Sequence, residues 1–321
     1  MASYILSWQL WQPRADPPNL PAVGGLASFS FAIPLVATAV LAIRFPRTGA
    51  IAHGALLALA MLGDQIRLLP WFFSLELLLA AGAWPRMGFQ IARWHLITLW
   101  GWAGLNKILS GGWSTGAAAF IADAMGSDAF RIPVAVLVPV IEVGFAVLGL
   151  WRRSWGVLRV AGPLFHIGIV VVLIMADWNT AVYPWNLALA AAVPLLFRVP
   201  DGAEERRGRI PKLAAAFLVL YPIGFYAGLV DTYLAHNLYT SNTANASLCT
   251  SAAVGAICDP TPLLTWDSLN VPIPPEKRLL VRWFDEICAP GQILRVDGRW
   301  TRFSDREVDF TPCPGGVSTA R

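Results

Sequence analysis

Residues 133–176 read PVAVLVPVIEVGFAVLGLWRRSWGVLRVAGPLFHIGIVVVLIMA. Two apolar runs, 133–151 and 155–176, flank a short polar break, Arg152-Arg153-Ser154. Each run matches the roughly 20 helical residues that cross a bilayer core. Val, Leu, Ile and Gly follow one another without the period-two alternation of a barrel strand. The stretch therefore reads as two antiparallel membrane helices joined by a basic turn. Composition agrees: the 321-residue chain is 56% hydrophobic and only 14% charged, against about 25% charged in an average soluble domain. A water-soluble globule, a coiled coil, a disordered chain and a nucleic-acid-binding domain are excluded on that ground.

Working outward, further apolar stretches lie near 26–43, 49–63, 70–83, 90–109, 182–198 and 212–233. The stretches 49–63 and 70–83 are short, and Pro70 opens the second, so they read either as two tilted spans or as one re-entrant pair. Basic residues sort by loop. Arg44, Arg47, Arg86, Arg152, Arg153, Arg198, Arg206, Arg207, Arg209 and Lys212 occupy one set of connections, whereas the alternate set holds only Arg67 and Arg131. Positive residues stay on the cytoplasmic side. The expectation is an all-α polytopic transmembrane helix bundle of about eight membrane segments over 26–234. It would sit in a bacterial inner or plasma membrane with both termini extracytoplasmic and the lipid bilayer as its first partner. Residues 1–25 carry four prolines and the amphipathic start SYILSWQLW. No basic n-region precedes a long apolar run, so a cleavable signal peptide is not expected; an interfacial segment anchored by Trp8 and Trp11 is.

Composition changes at about 235. The tail, 235–321, is polar and proline-rich and holds all four cysteines, Cys249, Cys258, Cys288 and Cys313. Outside the cell disulfides persist. Of the three pairings open to four cysteines, Cys249–Cys258 with Cys288–Cys313 closes two local loops. No CxxC occurs, so a metal is not expected. PPEKRLLVRWFDEIC reads as an amphipathic helix with Leu279, Leu280, Trp283, Phe284 and Ile287 on one face, and ILRVDGRWTRF as a hairpin turning at Asp297-Gly298. The tail is thus expected to be a small disulfide-bonded α+β cap.

Ionisable groups inside membrane segments are functional candidates by default. Glu142 and His166 lie about 13 and 16 Å below the outer ends of their helices. Those helices are neighbours, so a Glu142–His166 contact is expected. It serves either as a proton-handling pair or as a polar lock between helices. Lys107 closes the stretch RWHLITLWGWAGLNKIL near the outer end, where Gly101 and Gly104 permit close helix approach. It either snorkels to water or serves as a desolvated base. Asp64 and Arg67 in GDQIRLLPW share the outer face with Asp177, Asn179, Trp185 and Asn186 in ADWNTAVYPWNLAL. Asn106 and Trp113 flank Lys107. These eight residues form the candidate binding set around the candidate catalytic residues Lys107, Glu142 and His166. No P-loop, GxGxxG, HExxH or GxSxG is present, so no nucleotide is expected.

AGLNKILSGGWSTG, from Ala103 to Gly116, resembles the AGxxK…W..G stretch of the HTTM domain shared with vitamin K-dependent gamma-carboxylases. The order that follows is similar too: a glutamate in VPVIEVGFAVLGLWRR, Phe-His in GPLFHIGIVVVLI and a Pro-aromatic step in VYPWNLALA. DoxX-like and MauE-like quinone-linked bundles share the lysine-then-glutamate order and are the second choice. The resemblance implies an isoprenoid quinol bound near the outer face, with Lys107 as the base that deprotonates it. The chain departs from the carboxylases in its short tail, in DQIRLLPW where they carry an Asn-His-Ser-Tyr type motif, and in Asn106 where they carry a second lysine. Two functions from different classes follow. One is a quinol- or lipid-binding membrane enzyme, an oxidase or carboxylase-like lyase acting on an apolar small molecule. The other is a non-catalytic membrane partner for maturation, assembly or immunity of a secreted protein or peptide.

Overall fold

Prolines decide where the helices begin. Pro46, Pro70, Pro85 and Pro184 each sit in the first turn of a helix, where the missing N–H costs nothing and the fixed φ suits the turn. The computed structural model describes residues 1–198, 209–250, 258–259 and 265–314. Its helices are α1 (Ala2–Leu6), α2 (Ala32–Arg44), α3 (Pro46–Gly63), α4 (Pro70–Ala83), α5 (Pro85–Leu109), α6 (Ala117–Ala124), α7 (Arg131–Gly149), α8 (Trp155–Met175), α9 (Tyr183–Leu196) and α10 (Arg209–Leu220). The tail adds α11 (Trp266–Leu269) and α12 (Lys277–Ile287), with strands β1 (Asn245–Cys249), β2 (Cys258–Asp259), β3 (Ile293–Asp297) and β4 (Val308–Pro312).

The expected all-α bundle of about eight membrane segments is not what forms. Among the described residues only two helical segments, Asp128–Gly149 and Arg152–Met175, are long and apolar enough to cross a membrane. The helices α2, α4 and α9 have 13, 14 and 14 residues. At 1.5 Å per residue they reach only about 20 Å, short of a hydrocarbon core of about 30 Å. α5 has 25 residues but carries Arg93, His95 and Lys107. The stretch 212–233 fails locally: its helix stops at Leu220, and Tyr221-Pro222 starts a 3-10 turn that leads to Gly228 at φ 72°. Of the basic residues used for orientation, Arg206 and Arg207 lie outside the described residues. Arg93 escaped the sequence reading. It is buried, its Nε donates to the Leu196 carbonyl at 2.7 Å, and its guanidinium lies 4.2 Å from the Trp155 ring centre, at the C-terminal end of α9. Carbonyls exposed at a helix C-terminus favour such a cation.

α5 is the central column. It packs along α7 and α4 and touches α9 and α10, while α8 packs on α9 and α2 on α3. Of the two N-terminal tryptophans read as anchors, one turns inward. Trp11 is fully buried between Tyr4 and Phe72, and only Trp8 reaches the surface. Asp64 and Arg67 hold this segment down. Asp64 accepts from the Arg14 guanidinium and from the backbone N–H of Leu20 (3.0 Å) and Ile66 (3.2 Å). Arg67 donates to the carbonyls of Leu10 (2.8 Å) and Ala60 (2.9 Å), with its guanidinium over the rings of Trp11 and Phe31.

The cap contains a four-stranded antiparallel sheet in the order β2-β1-β3-β4, with Cys249↔Cys258 paired across β1 and β2. Both disulfides, Cys249–Cys258 and Cys288–Cys313, close the two local loops. α12 buries Leu279, Leu280, Trp283 and Phe284, as its spacing suggested. The tight hairpin at Asp297-Gly298 is corrected. β3 pairs with β4 from Asp297↔Val308 onward, so RWTRF belongs to a long connection. That connection is pulled away by the bundle: the Gly111 N–H donates to the Trp300 carbonyl (2.9 Å) and the Arg302 N–H to the Leu109 carbonyl (2.9 Å). A Cβ on Gly111 would lie 2.5 Å from the Trp300 indole nitrogen, which is why glycine stands there. The cap also grips the N-terminal segment, through Asn270 to the Leu6 carbonyl and Arg282 to the Pro21 carbonyl, both at 2.9 Å. Cap and N-terminal segment therefore share the end of the bundle opposite Arg152-Arg153.

Asp64 has no exposed surface, and breaking a buried ion pair from one side costs about 3–5 kcal/mol. Asp64→Ala is expected to lose about that much in denaturant titration and to expose Arg14 to trypsin. A wild-type midpoint with Arg14 still protected would show that the clasp is unimportant.

Candidate functional site

Glycine spacing brings the chemistry together. A Cβ on Gly104 would lie 2.8 Å from the Pro139 carbonyl and 3.0 Å from Glu142 Cβ, and one on Gly101 would meet Ala146 at 3.3 Å. Without side chains at those two positions α5 and α7 approach closely, as small residues allow at helix crossings. Lys107, one turn beyond Gly104, then faces Glu142. Its Nζ donates to Oε1 at 2.9 Å and to Oε2 at 2.8 Å, with both residues buried.

Pro139 shapes the same wall. Having no N–H, it leaves the Ala135 carbonyl without its partner one turn later. The Trp113 indole N–H fills that place at 2.9 Å. This fixes the Trp113 ring 5.6 Å from Lys107 Nζ, within cation–π range.

The Lys107–Glu142 pair stands in the wall of a largely apolar cavity of about 850 Å³. Trp71, Trp100, Trp113, Trp178 and Trp185 line it, together with Phe165 and Leu173. Of the candidate set, Lys107, Glu142, His166, Trp113, Asn179, Trp185 and Asn186 reach this cavity. The expected Glu142–His166 contact is replaced. His166 Nδ1 is 3.0 Å from Asn186 Oδ1, and the Trp100 indole N–H donates to Nε2 at 3.2 Å. Those bonds fix the Nδ1–H tautomer and leave neither ring nitrogen for Glu142, whose oxygens already accept from Lys107.

The other candidates do structural work. Asn106 accepts from the Tyr226 hydroxyl (2.6 Å) and donates to the Ala235 carbonyl (3.1 Å), tying α5 to the chain after α10. Asp64 and Arg67 clasp the N-terminal segment. Asp177 is exposed, and with Asn179 it takes left-handed φ values of 46° and 54° in the turn from α8 to α9, a conformation that Asp and Asn tolerate.

Sequence reasoning missed the wall that comes from the tail. Residues 232–242 turn back into the bundle and bury Thr232, Asn237, Thr240 and Asn242. Tyr233 and Tyr239 line the cavity, and Tyr239 accepts from Asn179 Nδ2 at 2.6 Å. Burial raises both phenols, so they stay protonated, and burial together with nearby His95 lowers His236 to about 3, so it stays neutral. A run of small polar residues after Tyr239, LYTSNTAN, was the available signal. The indole nitrogens of Trp71 and Trp185 and the Asn179 carbonyl oxygen have no hydrogen-bond partner among the described residues. All three belong to cavity-lining residues. Unmade hydrogen bonds of this kind cost about 1–3 kcal/mol each, although the atoms themselves have almost no accessible surface.

No family model matches the chain, and neither a curated protein nor a solved structure matches it.

Lys107→Met leaves a buried carboxylate alone and is expected to cost about 3–5 kcal/mol. Adding Glu142→Leu should recover most of the loss, giving a coupling of about 2 kcal/mol or more in a double-mutant cycle by denaturant titration. Additive losses would contradict the pairing.

Proposed function

We propose that the protein is a membrane protein that binds a quinol-type molecule in this cavity and withdraws a proton from its head group. The observation that carries the reading is a buried Lys107–Glu142 pair set in the wall of an otherwise apolar cavity. Such a pair is costly to bury and is kept where charge has a use. Five tryptophans around the space suit a flat ring. The resemblance of Ala103–Gly116 to HTTM domains supports the same chemistry.

The pair acts as a unit in this reading. Lys107 already gives two hydrogen bonds to Glu142, so a hydroxyl entering beside them would pass its proton to the pair through a carboxylate oxygen. The ammonium would then face the new phenolate, where charge stabilisation is strongest away from water. His166, held by Asn186 and Trp100, would position the ring.

A bilayer location fits the exterior. α7 and α8 expose Ile132, Val136, Val140, Val160, Leu164 and Ile174. With Arg152-Arg153 on the cytoplasmic side, the disulfide-bonded cap and the N-terminal segment would lie outside, where disulfides persist. A second reading, a docking partner for a secreted peptide, draws on β4. It is an edge strand whose Val308 and Phe310 are exposed, and edges of this kind accept an added strand.

In liposomes, decylubiquinol should quench tryptophan fluorescence and develop a quinolate absorbance band. Glu142→Gln should lose the band, and Lys107→Arg, whose guanidinium stays protonated and fits the pair differently, should weaken it by about tenfold or more. An undiminished band in both variants would refute the proton role. Phe310→Lys should leave both signals intact; loss of a peptide-linked phenotype alone would favour the second reading.

A further inference from the structure

We infer that the cavity is filled sideways from the lipid phase, through a gap between α7 and α8 whose sill is Gly168. The inference rests on the reading above that these two helices stand in a bilayer. Elsewhere the wall is mostly buried; Gly116 and Asn245 also line it and reach the surface, but beside polar neighbours such as Ser114 and Thr115. Residues 238–246 of the inserted tail segment and Pro272, Ile273 and Pro275 of the cap line it from the outer end. α5 and α9 back it from within the bundle.

The remaining side is different. α7 and α8 are joined by a short connection, yet α7 packs on α5 and α8 packs on α9, and the two touch each other little. Ile141 of α7 lines the cavity while 37% exposed, and Phe120 of α6 does so while 39% exposed. Gly168 of α8 is likewise both a lining and an exposed residue. Residues that belong to a cavity wall and to the outer surface at once mark a mouth. Around Gly168 the outward positions Leu164, Ile167 and Val171 are exposed and apolar, so the mouth faces a hydrocarbon-like exterior.

Gly168 also lacks a packing reason. Glycine inside a helix costs about 1 kcal/mol relative to alanine. At Gly104 the close approach of α7 accounts for it. At Gly168 an added Cβ would meet nothing within 4 Å. A missing side chain there clears the mouth. The ligand class that follows is a long-chain amphiphile with a small hydrogen-bonding head: the head reaches Lys107 and Glu142, and the chain trails between α7 and α8.

The Cβ of Gly168→Phe would meet nothing within 4 Å, and its ring would partly fill the mouth. Gly144→Phe is the control, because an added Cβ there also meets nothing within 4 Å and Gly144 is not in the cavity wall. Two probes supplied in liposomes, decylubiquinone and a nitroxide-labelled stearic acid, are followed by stopped-flow quenching of the cavity tryptophans. Gly168→Phe should slow the saturable phase by about fivefold or more with the final extent kept, because a mouth changes entry and exit together. Gly144→Phe should follow the wild type. Slowed entry of stearic acid with no decylubiquinone signal would keep the mouth and remove the quinol reading. Wild-type rates in Gly168→Phe, or no saturable quenching by either probe in the wild type, would overturn the inference.

Discussion

Close approach of α5 to α7 at Gly101 and Gly104 is the constraint on which the site depends. It sets Lys107 against Glu142, and that pair supplies the formal charges in the wall of an apolar cavity. A larger residue at Gly104 would press on the Pro139 carbonyl and on Glu142 itself. Pro139 adds to the arrangement from the other side, because the carbonyl it frees holds Trp113 beside the lysine. Helix packing and site chemistry are therefore one problem here. The same few small residues that let two helices touch also decide where the ammonium points.

The cap completes what the helices leave open. Its connection 298–307 is drawn onto Ser110-Gly111, and the chain before β1 is inserted into the bundle. Inserted backbone needs partners away from water, and it finds them in side chains such as Asn106, which binds the Ala235 carbonyl. The disulfides constrain the cap, and Asn270 and Arg282 join it to the N-terminal segment. Polar groups that looked like ligand contacts in the sequence are largely spent on this assembly.

Some of this was legible beforehand. α7, α8 and α12 follow from continuous apolar runs and from amphipathic spacing. The disulfide pairing follows from loop closure, and Lys107, Glu142 and His166 were picked out as costly polar residues. Span number was not legible, because apolar composition does not report helix length. Prolines after Phe45, Leu69, Trp84 and Tyr221 cut the stretches into pieces, most of them too short to cross a bilayer. Partner choice was not legible either. Equal depth on adjacent helices suggested Glu142 with His166, but the glycines of α5 bring Lys107 nearer. Asp64, Arg67 and Asn106 carry the residue types of a binding site and are consumed by backbone groups distant in sequence. That kind of contact leaves no local pattern.

If Lys107 and Glu142 serve a ligand within an apolar cavity rather than merely lock two helices, a ligand can be seen beside them. A density map of the protein purified in lipid nanodiscs with decylubiquinol added tests it most directly. Flat density between the tryptophans with one oxygen at the Lys107–Glu142 pair, and lipid tails along α7 and α8, is the expected result. A cavity filled by repacked side chains, with Lys107 turned out to solvent, would contradict it.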